Sequence, residues 1–538
     1  MSAIWKSISE SAPAERRAEV VVIGSGATGQ SVAKRLAERN VDVLMVEAGP
    51  ATETHRKSQE LLQASMPAVH GQYPDFGSHM LMNLGGSIGK PQMAMSADGS
   101  APAEGIRLAK LTEADLADWP IERSDLDPYY DLVSSWFGIR WDQYPLPEFD
   151  DSRLRAARFQ VVSRRLFSHP TAEHLEGIRV LLDAPVNKLE SDATGRIRRA
   201  TVTTMSGEAF VLEADVFVLA MNTMPATQLL LHSAVANESG LLGRHLMDHP
   251  LVTFGYVEPA KDLPRSILDP LTPTPIDTGL WWPKLIPDQH AVANDEGVNL
   301  ALTMFPLNWT VRRNLFRHRM LKPVVVGART GAKHSFDRAV DATKNKRFDK
   351  SLVKDIMQSA RGIDELAHIK LRSKGPEFNL ESGWWKETLD SSLPETFELI
   401  GMAQQRSHHE NHVTLSDERN ALGWRKLRVN WRYSTEDKLL VDQAAQPIIA
   451  ALDDAGFGRI TLIDPMKHTE NYSCHHASGT IRMAKDPTRG VVNEHCQTHE
   501  HSNLYVAGMS VFPSVGYANP TLTGMALGAR IADHIGSR

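Results

Sequence analysis

Cysteine is almost absent: Cys474 and Cys496 are the only two in 538 residues. A disulfide framework is therefore excluded, as are a zinc site built mainly from thiolates and a bound iron–sulfur cluster. The chain also lacks any run near the ~18 uninterrupted apolar residues that a membrane-spanning helix requires. Neither charge dominates, since 59 Lys and Arg stand against 65 Asp and Glu, a net −6. Nucleic-acid binders are usually basic, so this balance argues against one. Internal repeats and low-complexity tracts are missing too. With 42% hydrophobic and 23% charged residues, the composition rules out wholesale disorder. At about 150 residues per domain the length allows three to four domain equivalents and a large core. Residues 1–19 are polar, and Arg16-Arg17 is not followed by the apolar stretch of an export signal. That segment is expected to be a solvated tail, and the protein cytoplasmic.

The first chemical signal follows. Val20-Val21-Val22-Ile23 is a continuous β-branched run, as in a parallel strand buried on both faces. It leads into Gly24-Ser25-Gly26-Ala27-Thr28-Gly29, a helix-compatible stretch and a second apolar strand, Val41 to Val46, ending at Glu47. This is the dinucleotide fingerprint in its required context. Gly24 permits the tight turn, Gly26 lets the backbone approach a pyrophosphate, and Gly29 lets helix and strand touch. The helix N-terminus directs its partial positive charge at the phosphates. Glu47 is spaced to accept hydrogen bonds from a ribose diol, which disfavours NADP and leaves FAD and NAD both open.

A second signal lies near the other end. His476-Ala477-Ser478-Gly479-Thr480 is followed by Ala507-Gly508-Met509-Ser510-Val511-Phe512-Pro513 and by Ala518-Asn519-Pro520-Thr521. Leu504 to Val506 reads as a short buried strand, and Leu522 to Ile535 as a helix whose free amides can face a negative centre.

These motifs resemble the glucose-methanol-choline (GMC) flavoprotein oxidoreductases, and within them the branch of pyranose oxidase, glycoside 3-oxidases and 3-dehydrogenases, and fructose dehydrogenase. Further matches run along the chain. Leu84-Gly85-Gly86-Ser87 resembles the family's flavin-side glycine loop, and Trp119-Pro120-Ile121 to Tyr130 its WPI…PYY segment. Val216 to Ala220 resembles the strand beside the adenine, and Gly243 to Pro250 the GxxLxDHP segment. The resemblance implies an α/β fold: a Rossmann-like FAD-binding domain with an inserted α+β substrate domain on an antiparallel sheet. It implies FAD, held by Gly24, Gly26, Ala27, Thr28, Gly29, Glu47, Ala48, Gly85, Gly86, Ser87, Gln92, Val186, Ala220, Asn222, Gly508, Met509, Asn519, Pro520 and Thr521. It also implies His476 as catalytic base with Asn519 as its partner. Imidazole titrates near neutral pH and can take a hydroxyl proton, while an amide donates to the developing alkoxide without competing for that proton.

The sequence departs from the family at one informative place. Many relatives in this branch carry a histidine bonded covalently to FAD four residues after the second glycine of the pair; here that position is Lys90, so non-covalent FAD is expected. Met509 stands where many relatives have an acidic residue or alanine.

The expected organisation is residues 1–135, 171–250 and 471–538 for the FAD domain, 136–170 as a connection, and 251–470 for the substrate domain. Alternating runs such as Val298 to Leu302 and Lys426 to Trp431 read as antiparallel strands with one solvated face. Trp281-Trp282 and Trp384-Trp385 could stack on sugar rings, although core packing is the commoner use of tryptophan. Gln404, Gln405 and His408 are candidate substrate contacts. Residues 312–374 carry 17 Lys or Arg against 6 Asp or Glu, a net +11 that leaves −17 for the rest. That insertion suits a solvated surface or a contact within a homo-oligomer, a lid over an anionic substrate, or docking to an acidic redox partner. The expected reaction is oxidation of a secondary hydroxyl of a pyranose or glycoside, with carbon 3 favoured over carbon 2. Oxygen or a quinone-like acceptor would reoxidise the flavin, and no metal is expected. A non-sugar alcohol substrate and a flavin-containing assembly subunit without turnover are the rival readings.

Overall fold

The computed structural model of the chain describes residues 4–51, 69–71, 84–85, 94–95, 103–143, 145–163, 167, 170–261, 263, 271, 274–288, 298–307, 396–420, 423–464 and 476–538. Two compact units are present, Met1–Met304 with Leu399–Arg538, and Phe305–Glu398. The basic stretch 312–374 and the pair Trp384-Trp385 lie outside the described residues.

The first unit is built on an eight-stranded sheet of β1 (Ile4–Ser7), β2 (Arg17–Ile23), β3 (Val43–Val46), β4 (Ile178–Leu182), β5 (Val186–Ser191), β6 (Ile197–Thr203), β7 (Ala209–Leu219) and β8 (Leu504–Val506). Their order is β1-β4-β3-β2-β7-β6-β5, with β8 also pairing β7. From β1 to β7 the neighbours are parallel, as are β7 and β8, while β7, β6 and β5 run antiparallel. The residues explain the split. The apolar end of β7, Phe217 to Leu219, is fully buried between β2 and β8, whereas its earlier half alternates and leaves Val211 exposed.

The α-helices among the described residues are α1 (Ala27–Ala37), α2 (Arg123–Trp136), α3 (Thr223–Ser233), α4 (Thr435–Asp454) and α5 (Thr521–Gly536). Among the described residues no helix is long and apolar enough to cross a membrane.

This topology brings the glycine turns that follow β2 and β8, at Gly24 and Gly508, to one edge. Beyond the carboxyl ends of the strands the ladder continues by one bond each. Gly24 N–H donates to Val46 O, Ala220 N–H to Ile23 O, Ala507 N–H to Leu219 O and Glu47 N–H to Leu181 O, at 2.7–2.8 Å. Ligands of open α/β sheets bind outside such carboxyl ends.

One expectation changes, and the favoured use of one tryptophan pair holds. Residues 4–7 are not solvated tail but an outer parallel strand, because Ile8 is wholly buried beyond it and Trp5 packs on the core. Four residues of alternation are too short a signal to read from composition. Trp281 and Trp282 are buried at 6% and 2% exposure, so core packing is their use. The expected antiparallel strands are present as Leu300–Leu307, beginning two residues late, and as Arg425–Trp431 paired with His412–Arg419.

Candidate functional site

The glycines of the fingerprint divide by what a side chain would meet. Gly24 has φ +107°, and a Cβ there would lie 2.6 Å from the Ala220 carbonyl oxygen; a Cβ on Gly29 would lie 1.9 Å from that of Gly24. These two close the turn. A Cβ on Gly26 meets nothing within 4 Å among the described residues, so Gly26 faces open space. Ala27 and Thr28 start α1, which has no side-chain cap and no acidic residue in its first turn, leaving amides for an anion. Gly26 bridges to Gly85, bringing the second glycine loop alongside.

Glu47 is set into this turn. Ser25 Oγ–H donates to Glu47 Oε2 at 2.5 Å and accepts from Gly85 N–H at 3.1 Å, while Gly49 N–H donates to Glu47 Oε1 at 3.0 Å. Burial drives the Glu47 carboxyl up to about 7, against those hydrogen bonds and one from the Ala48 backbone, which lower it. Ala184 N–H donates to Glu47 O, placing the start of β5, and hence buried Val186, next to it. Ala220 is buried at the end of β7, and Asn222 caps α3 by accepting from Met224 N–H.

The second glycine turn meets the first. Gly508 has φ +110°, and a Cβ on Gly524, in the first turn of α5, would lie 3.0 Å from Thr28 Oγ1. The N-termini of α1 and α5 therefore converge, and α5, which follows Pro520 and opens at Thr521, also lacks a side-chain cap. Met509 begins a short 3-10 turn and accepts from Gly479 N–H at 3.1 Å. Buried Ser510 Oγ and Asn519 Oδ1 have no hydrogen-bond partner among the described residues. Leaving such atoms unpaired costs about 1–3 kcal/mol each, a cost that a polar ligand removes. An open cradle at Gly26, two uncapped helix starts, a ribose acceptor and two unpaired polar atoms fit a dinucleotide such as FAD. Gly86, Ser87, Lys90 and Gln92 lie outside the described residues.

His476 is held by long-range ties. Asp248 Oδ1 accepts from the backbone amides of both His249, at 2.6 Å, and His476, at 2.9 Å. Met247 and Ser478 form a reciprocal backbone bridge, and Ser478 Oγ–H donates to His476 O. Gly479, φ +84°, passes under the His245 carbonyl, where a Cβ would lie only 2.5 Å from the oxygen. The His249 ring lies between His476 and the turn at Val515-Gly516, three residues before Asn519, with Nδ1 to Nδ1 at 2.9 Å.

The three substrate candidates are placed differently from one another. Gln405 is completely buried; its Oε1 accepts from Asp248 N–H and Trp431 Nε1–H, and its Nε2–H donates to Arg432 O. It is a strut for Asp248, and its burial keeps it from a ligand. Gln404 Oε1 accepts from Asn299 N–H, and Asn299 in turn donates to Asp115, so Gln404 leads into a buried network. His408 Nε2 lies 3.0 Å from both carboxylate oxygens of Asp437, which raises its pKa. Sequence reasoning assigned no role to Asp248 or His249. Their signal was the Asp-His-Pro triplet itself, a polar pair between Leu246-Met247 and Pro250-Leu251-Val252.

Residues 407–528 match the family model described as GMC oxidoreductase. The match takes in both the His476 and the Asn519 motifs, in keeping with the resemblance. Among curated proteins, the chain is 22% identical over 366 residues to the fructose dehydrogenase large subunit of Gluconobacter japonicus, covering 67% of the chain and 54% of that protein. It is 25% identical over 342 residues to the 6'''-hydroxyparomomycin C oxidase of Streptomyces lividus, covering 49% and 60%. A C-glycoside 3-oxidase of Arthrobacter globiformis is 30% identical over 117 residues, 22% of each chain. The chain thus spans just over half the length of the first two. Among solved structures, pyridoxine 4-oxidase from Mesorbium loti aligns over 96% of this chain and 99% of its own, with TM-score 0.51 and 14% identity. A formate oxidase of Aspergillus oryzae RIB40 aligns over 97% and 98%, with TM-score 0.52 and 16% identity. At these identities the likeness is one of fold: the FAD-binding α/β architecture.

Proposed function

We propose that the protein is an FAD-dependent oxidoreductase that converts a secondary hydroxyl of a pyranose or glycoside to a ketone, at carbon 3 in preference to carbon 2. The observation that carries this reading is the placement of His476, tied by Asp248 and His249 to the turn before Asn519, whose buried Oδ1 has no partner among the described residues. The sugar and glycoside activities named for three relatives support the substrate class.

FAD, when bound, supplies the hydride acceptor. Glu47 would hold its ribose, the turn from Gly24 to Gly29 its pyrophosphate, and Gly508 to Thr521 its reactive end. The chain's own part is proton chemistry. His476 removes the hydroxyl proton, so that the electron pair left on oxygen can expel hydride from carbon; the Asn519 amide donates a hydrogen bond to that oxygen. General-base assistance of this kind is worth roughly 10²–10⁴-fold. With Lys90 in place of the linking histidine, the FAD is held without a covalent bond, and acid precipitation should leave yellow flavin in the supernatant.

The test is anaerobic bleaching of the FAD-loaded protein by a panel of pyranoses, glycosides, sterols and small alcohols, followed by reoxidation with oxygen or a quinone. Bleaching by pyranoses or glycosides is expected. Bleaching by a non-sugar alcohol alone would move the substrate to that class, in keeping with the 31% identity over 129 residues to a 2-methyl-1,2-propanediol dehydrogenase. Loaded flavin that no alcohol bleaches would point to an assembly subunit.

A further inference from the structure

His249 is wholly buried, and its Nε2 lies 3.2 Å from the Val515 carbonyl oxygen and 3.1 Å from that of Gly516. Carbonyl oxygens only accept, so Nε2 must carry a proton. The ring is neutral, because burial lowers its pKa to about 4 despite the two carbonyl bonds, which raise it. A neutral imidazole protonated on Nε2 has its lone pair on Nδ1. That atom lies 2.9 Å from Nδ1 of His476, so the bond between the rings requires His476 to donate from Nδ1. The rings meet edge to face, their planes at 86°.

We propose that His249 is a positioning residue: it holds His476 in the Nδ1–H tautomer and so makes Nε2 the atom that receives the substrate proton. The proposal rests on the reading of His476 as base given above. In the opposite tautomer, Nε2 would present a proton to a hydroxyl it is meant to deprotonate. When the substrate O–H bond breaks, its proton forms a bond to Nε2, the electron pair stays on oxygen, and the Nδ1–H bond to His249 persists. A neutral acceptor steadies the imidazolium without taking its proton, and the two carbonyls hold the acceptor ring in place. Asp248 fixes both main chains, so neither ring can turn away by a backbone shift.

The ionisable groups that surround the pair come from several segments. Asp248 is on the same segment as His249. Asp115 lies against Gly516, with Tyr517 in its field. Arg406 follows Gln405, which supports Asp248. One step further out, Arg482 donates to Pro513 O and to Ser407 Oγ, which also bonds His245.

The test reads nitrogen–proton couplings in the FAD-loaded, deuterated full-length protein with 15N-labelled histidine, without substrate. His249→Phe and His476→Ala identify the two signals. The unsubstituted protein is expected to show His476 as Nδ1–H and His249 as Nε2–H. In His249→Gln, an amide can still donate to Val515 and Gly516, but the ring acceptor is gone. There His476 should move to the Nε2–H tautomer, and the limiting bleaching rate should fall about 10²-fold with little change in KM. An Nε2–H signal from His476 in the unsubstituted protein would overturn the proposal. So would a His249→Gln protein that keeps Nδ1–H on His476 and bleaches within about threefold of the parent. The unsubstituted protein alone decides the tautomer, so a variant that does not fold leaves the test intact. Bleaching of His476→Ala at the parent rate would sink the base assignment and leave the tautomer result standing.

Discussion

Two polar clusters of this protein, Gln404–His408 with Asp437 and His476–Asn519 with His249, are built on opposite principles. In the first, the groups satisfy one another. Gln405 bonds Asp248, Trp431 and Arg432, while Asp437 receives His408 and Ser434 at the start of α4. In the second, Ser510 Oγ and Asn519 Oδ1 are buried without partners among the described residues, and His476 leans on a neutral ring. A carboxylate partner holds a proton on histidine, as Asp437 does for His408, whereas a neutral imidazole sets geometry and leaves the proton free to move. The first cluster reads as structure and the second as chemistry.

The largest effect that would break this contrast concerns the histidines themselves. His476→Ala should slow flavin bleaching roughly 10²–10⁴-fold while FAD loading persists, and His408→Ala should stay within about threefold of the parent. Stopped-flow bleaching of both variants decides the matter; equal losses would dissolve the distinction.

The glycines sharpen the same contrast within the cofactor turn. Gly29→Ala places a Cβ 1.9 Å from the Gly24 carbonyl oxygen and should destabilise the fold by about 1–3 kcal/mol, seen as a lower Tm without FAD. Gly26→Ala fills open space, so the same scan should show little change, while FAD affinity drops by roughly tenfold or more, about 1.4 kcal/mol.

A smaller effect is expected from pH at the satisfied cluster. Asp437 raises the His408 pKa by its hydrogen bond, against burial, which lowers it. The stability from a raised histidine pKa is complete below its unfolded value of about 6.5 and is lost as pH rises through the folded one. Burial pushes the Asp437 carboxyl up, but the bonds from His408 and Ser434 outweigh it and hold it below the usual range. That contribution is present above about pH 3.9 and fades as pH falls through the folded value. Tm should therefore decline on the alkaline side of about pH 6.5, and His408→Ala should flatten that decline. A parent and variant with parallel Tm–pH curves would remove the ion pair from the account.

A second effect of pH is expected at Glu47. Its carboxyl, raised by burial to about 7, keeps its proton in the cofactor-free fold where an unfolded chain would have lost it. Fold stability from this group thus falls as pH rises from about 4.3 through 7. Ribose hydroxyls bond best to the ionised form, so FAD affinity should improve over that window and then level off. Titrations of FAD into the parent and into Glu47→Gln check this, because the variant should lose the slope.

What could be read from sequence followed from local steric demand. Gly24 and Gly29 are required by contacts within a single turn, and the run from Val20 to Ile23 could only suit a strand buried on both faces. His476 and Asn519 stand out in the sequence through their motifs alone. The pairing of His249 with Val515 and Gly516 spans more than 260 residues, and no local pattern encodes it. The same holds for Gln405, whose polarity suggested a ligand until the fold buried it beneath Asp248 and Trp431, and for residues 4–7, whose strand partner is β4.

The central proposal is that this protein oxidises the carbon-3 hydroxyl of a glycoside through His476. Anaerobic bleaching of the bound flavin by a methyl glycoside carrying deuterium at carbon 3, beside one carrying it at carbon 2, tests that most directly. The account predicts bleaching slowed several-fold by deuterium at carbon 3 and unaffected at carbon 2. Slowing confined to carbon 2 would contradict the assigned position, and no bleaching by either glycoside would contradict the assigned reaction.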